Sequence, residues 1–329
     1  MDDGLQEGAP VTAQAEVGAP LFSIVMAAYN AAGTIEMAID SARAQTFGDF
    51  ELIIIDDGSS DATGEIIDRL AVEDPRLVVH HQANAGANTT RNRAIAAARG
   101  EYVTFLDTDD LKLPSYLEAV RETMADESVG LAYTDSYVMD HEHRRIHRST
   151  VLAAHGRLAP PPDDTEAFLA QLIESCFIPF TATTVRRSVL EQVGAFEPRL
   201  AGTDDWELWI RIVASGARAV RVPGTLAVMG RVRGQISGDR VVMQQNLQKM
   251  FEIIAEEFDL PDAIRLRTRE LAARAGAEAG RPPGPAPSRL ADTLSDLAQH
   301  VTWVRAWRLR HPPDISAAFP GLRRVARPR

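Results

Sequence analysis

The chain of 329 residues contains one cysteine and no long apolar run. A single Cys176 excludes an intramolecular disulfide and fits a reducing cytoplasm. Because it has no basic neighbour, we expect a small core residue rather than a nucleophile. No run approaches the roughly 20 apolar residues that crossing a bilayer takes. The net charge of -11 disfavours general binding of nucleic acid, so we expect a cytoplasmic protein with other partners.

Three further signals are missing. No Gly-x-Gly-x-x-Gly follows the first predicted strand, and no Gly-x-x-x-x-Gly-Lys-Ser/Thr occurs anywhere. Dinucleotide and P-loop interpretations therefore lose support. Residues 1–20 are acidic and rich in small residues, without the basic start and apolar core of a secretory signal, which predicts a disordered leader.

Short apolar runs alternate with helical patterns through the first half of the chain. The predicted strands are Leu21–Met26, Glu51–Ile55, Leu77–His80 and Tyr102–Leu106, and Ala27 to Asn30 should break the first. Such alternation predicts an α/β fold with a mostly parallel, Rossmann-like sheet and right-handed crossovers. A later strand is predicted at Thr181–Val185.

Acidic residues follow two of these strands. Asp56-Asp57 ends the second, and Asp107-Thr-Asp-Asp110 ends the fourth. Ligands of open α/β sheets bind at this edge. A carboxylate at Asp57 can accept the ring N–H of uracil or guanine, and one at Asp109 can hold Mg²⁺ or Mn²⁺. A nucleoside diphosphate would suit both; the alternative is that the later acids only cap the next helix.

A second acidic pair begins a helix in the C-terminal half. Asp204 and Asp205 precede a pattern with Trp206 and Trp209 on one helical face. The helix dipole favours ionised carboxylates there, and simple capping is the alternative.

Four motifs then occur in the order and spacing of family 2 glycosyltransferases, which this sequence resembles over about residues 21–240. They are Ala27-Ala-Tyr-Asn30, Ile55–Asp61, Asn84-Ala-Gly86 through Arg91-Asn92, and Gly100–Asp110. The resemblance implies a GT-A fold. It also implies a metal-dependent enzyme that transfers a sugar with inversion from a nucleotide donor, for which UDP is favoured.

The resemblance also implies site roles. Asp205 matches the general base, with Asp204 beside it, and Asp109 and Asp107 match the Mn²⁺ or Mg²⁺ ligands. The expected donor-binding residues are Ala27, Tyr29, Asn30, Asp56, Asp57, Asn84, Arg91, Asp107, Thr108, Arg231 and Arg233. Trp206 and Thr181 are expected on the acceptor side.

Several positions depart from the family pattern. Ala27 and Ala28 replace the usual Pro or Thr, Thr90 replaces Ala, Asp204 replaces Glu, Gly230 replaces Tyr, and Arg233 replaces His. An arginine cannot ligate a metal but can hold phosphate in a fork. We therefore expect Arg231 and Arg233 on the diphosphate, with a pair of solvated arginines as the alternative.

The expected organisation is a leader (1–20), a GT-A domain (21–240), C-terminal helices (241–280) and a Pro/Gly linker with a basic helical tail (281–329). The tail could contact anionic lipid peripherally or pack on the main domain. Homodimer formation stays open. The acceptor class also stays open among a saccharide, a lipid carrier, a peptide and a small natural product.

Two other functions compete with the transferase. A sugar-nucleotide nucleotidyltransferase would need a phosphate loop with Lys or Arg after the first strand, and Ala27 to Gly33 has neither. An inactive nucleotide-sugar-binding module is disfavoured by the intact Asp107, Asp109 and Asp205.

Overall fold

The computed structural model describes residues 18–140, 145–151, 164–231 and 240–280. Their strands are β1 (Phe22–Ala28), β2 (Phe50–Asp56), β3 (Leu77–His81), β4 (Tyr102–Phe105), β5 (Leu111–Lys112), β6 (Val129–Asp140), β7 (Arg145–Thr150), β8 (Thr183–Arg186) and β9 (Arg218–Arg231). Their helices are α1 (Ile35–Arg43), α2 (Thr63–Glu73), α3 (Ala87–Ala97), α4 (Tyr116–Met124), α5 (Thr165–Glu174), α6 (Arg187–Val193), α7 (Asp204–Ala214), α8 (Arg240–Glu257) and α9 (Asp262–Ala279).

These strands form one sheet in the order β3-β2-β1-β4-β8-β6-β9-β5, with β7 paired to β6. Strands β1, β2, β3, β4, β6 and β9 point one way, and β5, β7 and β8 point the other. The predicted α/β fold with a mostly parallel sheet is confirmed. Because β1 lies between β2 and β4, the loops after β2 and β4 open on the same sheet edge.

Burial explains the sequence pattern of the central strands. All seven residues of β2 are buried, because helices cover both faces of the sheet and a polar face would have no solvent to meet. One core cluster includes Val25, Phe105 and Trp209, and a second includes Phe22 and Ile24. Alternate residues of β1 thus fill the two cores in turn.

The two C-terminal helices pack on the first of these cores. Met250 and Ile264 belong to the same cluster as Phe105, and the Phe251 ring meets the Trp206 ring edge-on with centroids 5.6 Å apart. The region predicted as C-terminal helices therefore shares a core with the sheet. No helix in the described ranges is long and apolar enough to cross a membrane.

The structure corrects three local predictions. Strand β1 runs through Ala28, which pairs with Asp56, so Ala27 and Ala28 extend the strand rather than break it. Phe180–Ala182 form a 3-10 turn, and β8 begins only at Thr183. Ser115 occupies the N-cap position of α4, so the capping explanation for the Asp107–Asp110 acids is wrong.

Gly100 allows the backbone before β4 to lie against β1. A Cβ atom at this position would stand 2.5 Å from the Ser23 nitrogen and 2.7 Å from the Phe22 carbonyl carbon. Both are backbone atoms of a central strand and cannot move aside. By contrast, a Cβ at Gly48 would meet nothing within 4 Å.

We therefore predict that Gly100→Ala lowers the free energy of unfolding by about 1–3 kcal/mol, as overpacking does in a well-packed interior. Gly48→Ala is the matched control and should stay within about 0.5 kcal/mol of wild type. Urea unfolding curves measure both. Equal midpoints for the two variants would contradict the steric argument.

Candidate active site

The Arg91 side chain connects two acidic segments that lie far apart in the sequence. It extends from α3, and its Nη2 donates to Asp107 Oδ1 at 2.8 Å just beyond β4. Its Nη1 donates to Asp204 Oδ2 at 2.9 Å at the start of α7. One guanidinium thus holds the end of a strand and the end of a helix together.

The surroundings of Arg91 fix this bridge. Its guanidinium carbon lies 4.5 Å from the centre of the Phe180 ring and 5.7 Å from that of Phe196. Only 16% of its side chain is exposed. Burial works to lower the pKa of Arg91, but the charges of Asp107 and Asp204 raise it above its usual value. The group therefore stays charged, although its Nε has no partner among the described residues.

Asp204 and Asp205 are neighbours in sequence but have different surroundings. Asp204 is 5% exposed, and its Oδ1 accepts the Gly202 N–H at 2.8 Å. Asp205 is partly exposed, and its Oδ1 accepts the Trp206 N–H at 2.8 Å. The helix N-cap position belongs to Thr203, so neither acid is the cap residue. Asp204 is paired with Arg91, whereas no cationic side chain among the described residues pairs with Asp205 Oδ2.

Burial and the adjacent charge of Asp204 raise the pKa of Asp205 to about 7. The Trp206 N–H and the Arg91 charge pull the pKa of Asp205 down without outweighing these effects. A carboxyl with a pKa near neutral pH can accept or release a proton under physiological conditions.

The acids after β4 are crowded. Asp110 is 3% exposed and its Oδ1 accepts the Gly230 N–H of β9 at 2.6 Å. Burial, together with the charges of Asp109 and Asp107, raises the pKa of Asp110 well above its usual value. Asp109 is partly exposed. This excess of negative charge is the kind of environment that a cation relieves.

The donor set fits a hard divalent cation. Carboxylate oxygens are the ligands that Mg²⁺ and Mn²⁺ prefer. Within the described ranges, no three His, Cys, Asp or Glu side chains are grouped to hold a metal by themselves. The residues present therefore fit an ion that keeps part of its coordination shell for oxygens of another molecule, as Mg²⁺ commonly does.

The loop after β2 lies against the loop after β3. Asp57 is 3% exposed and accepts the Ala85 N–H at 2.8 Å and the Gly86 N–H at 3.0 Å. Gly58 has a φ of +74°, and a Cβ there would stand 2.9 Å from the Asn84 nitrogen. Only glycine suits this position, because both its conformation and its neighbours exclude a side chain. Asn84 itself is exposed.

The loop after β1 joins the same region. Asn30 has a φ of +47°, and its Oδ1 accepts the Ser60 N–H at 2.8 Å. Its own N–H donates to Ser59 Oγ at 3.0 Å. These contacts hold a conformation that asparagine tolerates better than most residues. Beside it, the Tyr29 ring is 54% exposed at the sheet edge, a flat surface open to a ligand.

Both carboxylate oxygens of Asp56 make contacts within the protein. Its Oδ1 accepts the Ser59 N–H at 3.1 Å, and its Oδ2 lies 3.0 Å from His81 Nδ1. His81 Nε2 in turn lies 3.0 Å from Asp68 Oδ1. Burial works to lower the pKa of His81, but its hydrogen bonds to Asp56 and Asp68 raise it. Asp56 thus orders the loop that carries Asp57.

The expected acceptor-side residues are held by the protein. The Trp206 Nε1 donates to the Leu172 carbonyl at 2.7 Å, so the indole ties α7 to α5. Thr181 is fully buried, and its carbonyl accepts the Lys112 ammonium. Its Oγ1 has no partner in the described part of the chain. Through these contacts both residues stabilise the fold, and the contacts do not add support for an interaction with an acceptor.

The remaining predicted residues divide into two groups. Arg231 ends β9 one residue after Gly230, so the Asp110 contact brings its backbone beside the acids, and its side chain is exposed. Thr108 lies between Asp107 and Asp109 and is partly exposed, and Ala27 is partly buried near the end of β1. Arg233 lies outside the described residues, as do the basic tail and residues 1–17 of the leader.

Sequence reasoning missed two polar residues near the site: Gln82, which is partly exposed, and Lys112, which is fully buried. Gln82 donates to Asp57 Oδ1 at 2.7 Å, and Lys112 lies 3.7 Å from the centre of the Tyr116 ring. Burial holds the pKa of Lys112 well below its usual value, against the pull of Asp110. The sequence does contain a signal for Lys112, because it lies between Leu111 and Leu113 in an apolar segment. A lysine is seldom buried without a partner.

Comparison with known proteins gives a consistent picture. Over 109 residues the chain is 41% identical to the putative glycosyltransferase EpsH of Bacillus subtilis, a match that spans 33% of this chain and 32% of EpsH. Over 240 residues it is 29% identical to the Escherichia coli UDP-Glc:alpha-D-GlcNAc-diphosphoundecaprenol beta-1,3-glucosyltransferase WfaP, covering 71% of this chain and 88% of that protein.

The fold has solved counterparts. The mannosyltransferase PcManGT from Pyrobaculum calidifontis, in complex with GDP-Man and Mn²⁺, matches with a TM-score of 0.57 at 21% identity, covering 88% of this chain and 83% of that one. Such a likeness confirms the predicted GT-A fold. Residues 23–194, about half of the chain, match the family described as Glycosyl transferase family 2. The chain therefore belongs to glycosyl transferase family 2.

Proposed function

We propose that this protein is an inverting glycosyltransferase that moves a sugar from a UDP-linked donor to an acceptor hydroxyl, with Asp205 as general base. The observation that carries the proposal is the Arg91 bridge. It places the acids after β4 and the acidic pair of α7 around one site. An inverting displacement needs these two groups, one for the leaving diphosphate and one for the attacking oxygen.

The donor side supports a nucleotide with an exposed base platform. The Tyr29 ring is open at the sheet edge, and Asp57 lies at the end of the neighbouring strand β2. An ionised carboxylate accepts a ring N–H, which uracil and guanine possess. WfaP is named for a UDP-Glc donor, and PcManGT was solved with GDP-Man. Both nucleotides carry such a ring N–H, and the higher sequence identity to WfaP favours UDP.

The base chemistry follows from the position of Asp205. Because Oδ1 is held by the Trp206 N–H, we assign proton acceptance to Oδ2. The attacking oxygen loses its proton to Oδ2 as it bonds to the anomeric carbon, while the bond from that carbon to the diphosphate oxygen breaks. A single displacement of this kind inverts the configuration at the sugar carbon.

The charge on the diphosphate needs a cation. Asp109 and Asp107 would hold Mn²⁺ or Mg²⁺, whose role when bound is to neutralise the charge that develops on the leaving group. Arg231 follows Gly230, whose N–H bonds Asp110, and its exposed side chain would share the phosphate charge. Asp107 also keeps its bond to Arg91, so the bridge orders the oxygens on this side.

The acceptor is proposed more broadly. The name of WfaP specifies a lipid-linked sugar as its acceptor, and a diphospholipid-linked saccharide is the class we favour for this chain. Contact of the basic tail (281–329) with a membrane surface would suit such an acceptor. Family membership favours the transferase over a nucleotidyltransferase, and the first variant below separates it from an inactive binding module.

Asp205→Asn should lower kcat by about 10²- to 10⁴-fold, the usual range for loss of a general base. The dissociation constant of UDP with Mn²⁺ should change by less than about twofold, because the donor site is intact. Sugar transfer from UDP-glucose and isothermal titration calorimetry measure the two quantities. Asp40→Asn, on the exposed side of α1, is the matched control. Full turnover by Asp205→Asn would rule out this base.

Activity should depend on pH through Asp205. Only the ionised carboxylate accepts a proton, and the pKa of Asp205 is raised to about 7. At saturating donor, kcat should therefore fall as pH decreases through about 7 and level off above it. A pH profile recorded with fixed Mn²⁺ and ionic strength measures this. A midpoint near 4, the ordinary value for aspartate, would show that the carboxyl is not perturbed as described.

Asp109→Ala should weaken UDP binding on the order of tenfold in the presence of Mn²⁺, because a coordinating oxygen is lost. In EDTA, the variant and the wild type should bind UDP equally. Calorimetric titrations under both conditions test this, with Asp40→Ala as the surface control. An equal loss in Mn²⁺ and in EDTA would mean that Asp109 contacts the nucleotide and not a metal.

A further inference from the structure

Asp57 has one hydrogen-bond acceptor position left. Its Oδ1 accepts from Gln82 Nε2 at 2.7 Å and from the Ala85 N–H at 2.8 Å. Its Oδ2 accepts from the Gly86 N–H at 3.0 Å. An ionised carboxylate offers about four acceptor sites, so a remaining site lies on Oδ2. The three contacts fix the plane of the carboxylate and hence the direction in which that site points.

Both the nitrogen and the oxygen of the Gln82 amide make hydrogen bonds. Nε2 donates to Asp57 Oδ1 and also to Thr90 Oγ1 at 2.9 Å. Oε1 accepts from Arg93 Nη1. A flipped amide would turn its oxygen toward the Asp57 carboxylate and its NH₂ toward the Arg93 guanidinium. Both arrangements are repulsive, so only one orientation of Gln82 is compatible with its neighbours.

Thr90 is the position at which this chain departs from the family pattern, where alanine is usual. Thr90 is fully buried, so its hydroxyl does not contact solvent. The hydroxyl accepts a hydrogen bond from Gln82 Nε2 and so holds the amide in place. Burial works to raise the pKa of Asp57, but the hydrogen bonds from Gln82 and from the Ala85 N–H lower it below its usual value.

We propose that Gln82, held by Thr90 and Arg93, is a positioning residue that sets the nucleobase specificity of the donor site. It keeps Asp57 as an oriented group that can only accept hydrogen bonds. Uracil presents its N3–H to such a group, whereas cytosine presents a lone pair at N3 and is repelled. This inference rests on the proposed use of a nucleotide donor and adds the residues that select its base.

The location of the network favours this role over simple support of the fold. Gln82 follows β3 and is partly exposed, and Arg93 is exposed on α3, so neither fills the core. The fold between β2 and β3 is already secured by their parallel pairing from Leu52 to Asp56. Loss of the Gln82 amide should therefore disturb the carboxylate more than the sheet.

Calorimetric titration of the full chain with UDP and with CDP, both with Mn²⁺, tests the proposal. These ligands differ only in the base edge that meets Asp57. Wild type should prefer UDP by about ten- to hundredfold, the usual range for a hydrogen bond to a charged group. Gln82→Ala should reduce this ratio by about tenfold, mostly through weaker UDP binding.

Two further variants make the result decisive. Thr90→Ala, the usual residue in the family, should reduce the ratio by about threefold, and it serves if Gln82→Ala does not fold. His80→Ala, at an exposed position of β3, should leave the ratio unchanged.

Equal losses for UDP and CDP in the Gln82 and Thr90 variants would overturn the specificity role and leave only a structural one. If wild type binds none of UDP, CDP and GDP, the proposed function itself fails. If wild type binds UDP and the variants keep the full UDP preference, only the inference about Gln82 fails. Thermal unfolding of each variant identifies any loss that comes from the fold.

Discussion

The site depends on one largely buried positive charge. Arg91 donates to Asp107 and Asp204, which belong to different halves of the sequence and would repel each other without it. Removing one partner of a buried ion pair is costly because the other charge is left without compensation. The same contact therefore fixes where β4 ends relative to where α7 begins. The donor side and the base side of the proposed reaction share this connection.

The Arg91 contact also explains why two adjacent aspartates differ. Asp204 is paired with Arg91, and burial together with the charge of Asp204 raises the pKa of Asp205 to about 7. Asp204 thus sets the electrostatic environment of Asp205. The shorter Asp204, where the family usually has glutamate, still reaches the guanidinium at 2.9 Å because the Phe180 and Phe196 rings hold it close.

Local pattern predicted most of the fold. Apolar runs predicted the strands, and the acids at the ends of β2 and β4 pointed to the candidate site, because both signals lie in residues that are close in sequence. The 3-10 turn at Phe180–Ala182 escaped prediction because its residues resemble a strand. Contacts such as that between Gln82 and Asp57, 25 residues apart, depend on how two loops meet, and no periodicity encodes that.

Two kinds of constraint act at the sheet edge. On the donor side, the Asn30 conformation and the glycine at position 58 hold the backbone of three loops in one arrangement, leaving Tyr29 and Asp57 at the edge. On the base side, Trp206 is tied to α5 and Thr181 to Lys112. A rigid frame lets a carboxylate act on one atom of a substrate, since a shift of about 1 Å can cost a hundredfold in rate. Under the proposed function, acceptor choice would fall to loops outside this frame, which can vary without disturbing either the bridge at Arg91 or the proposed base, Asp205.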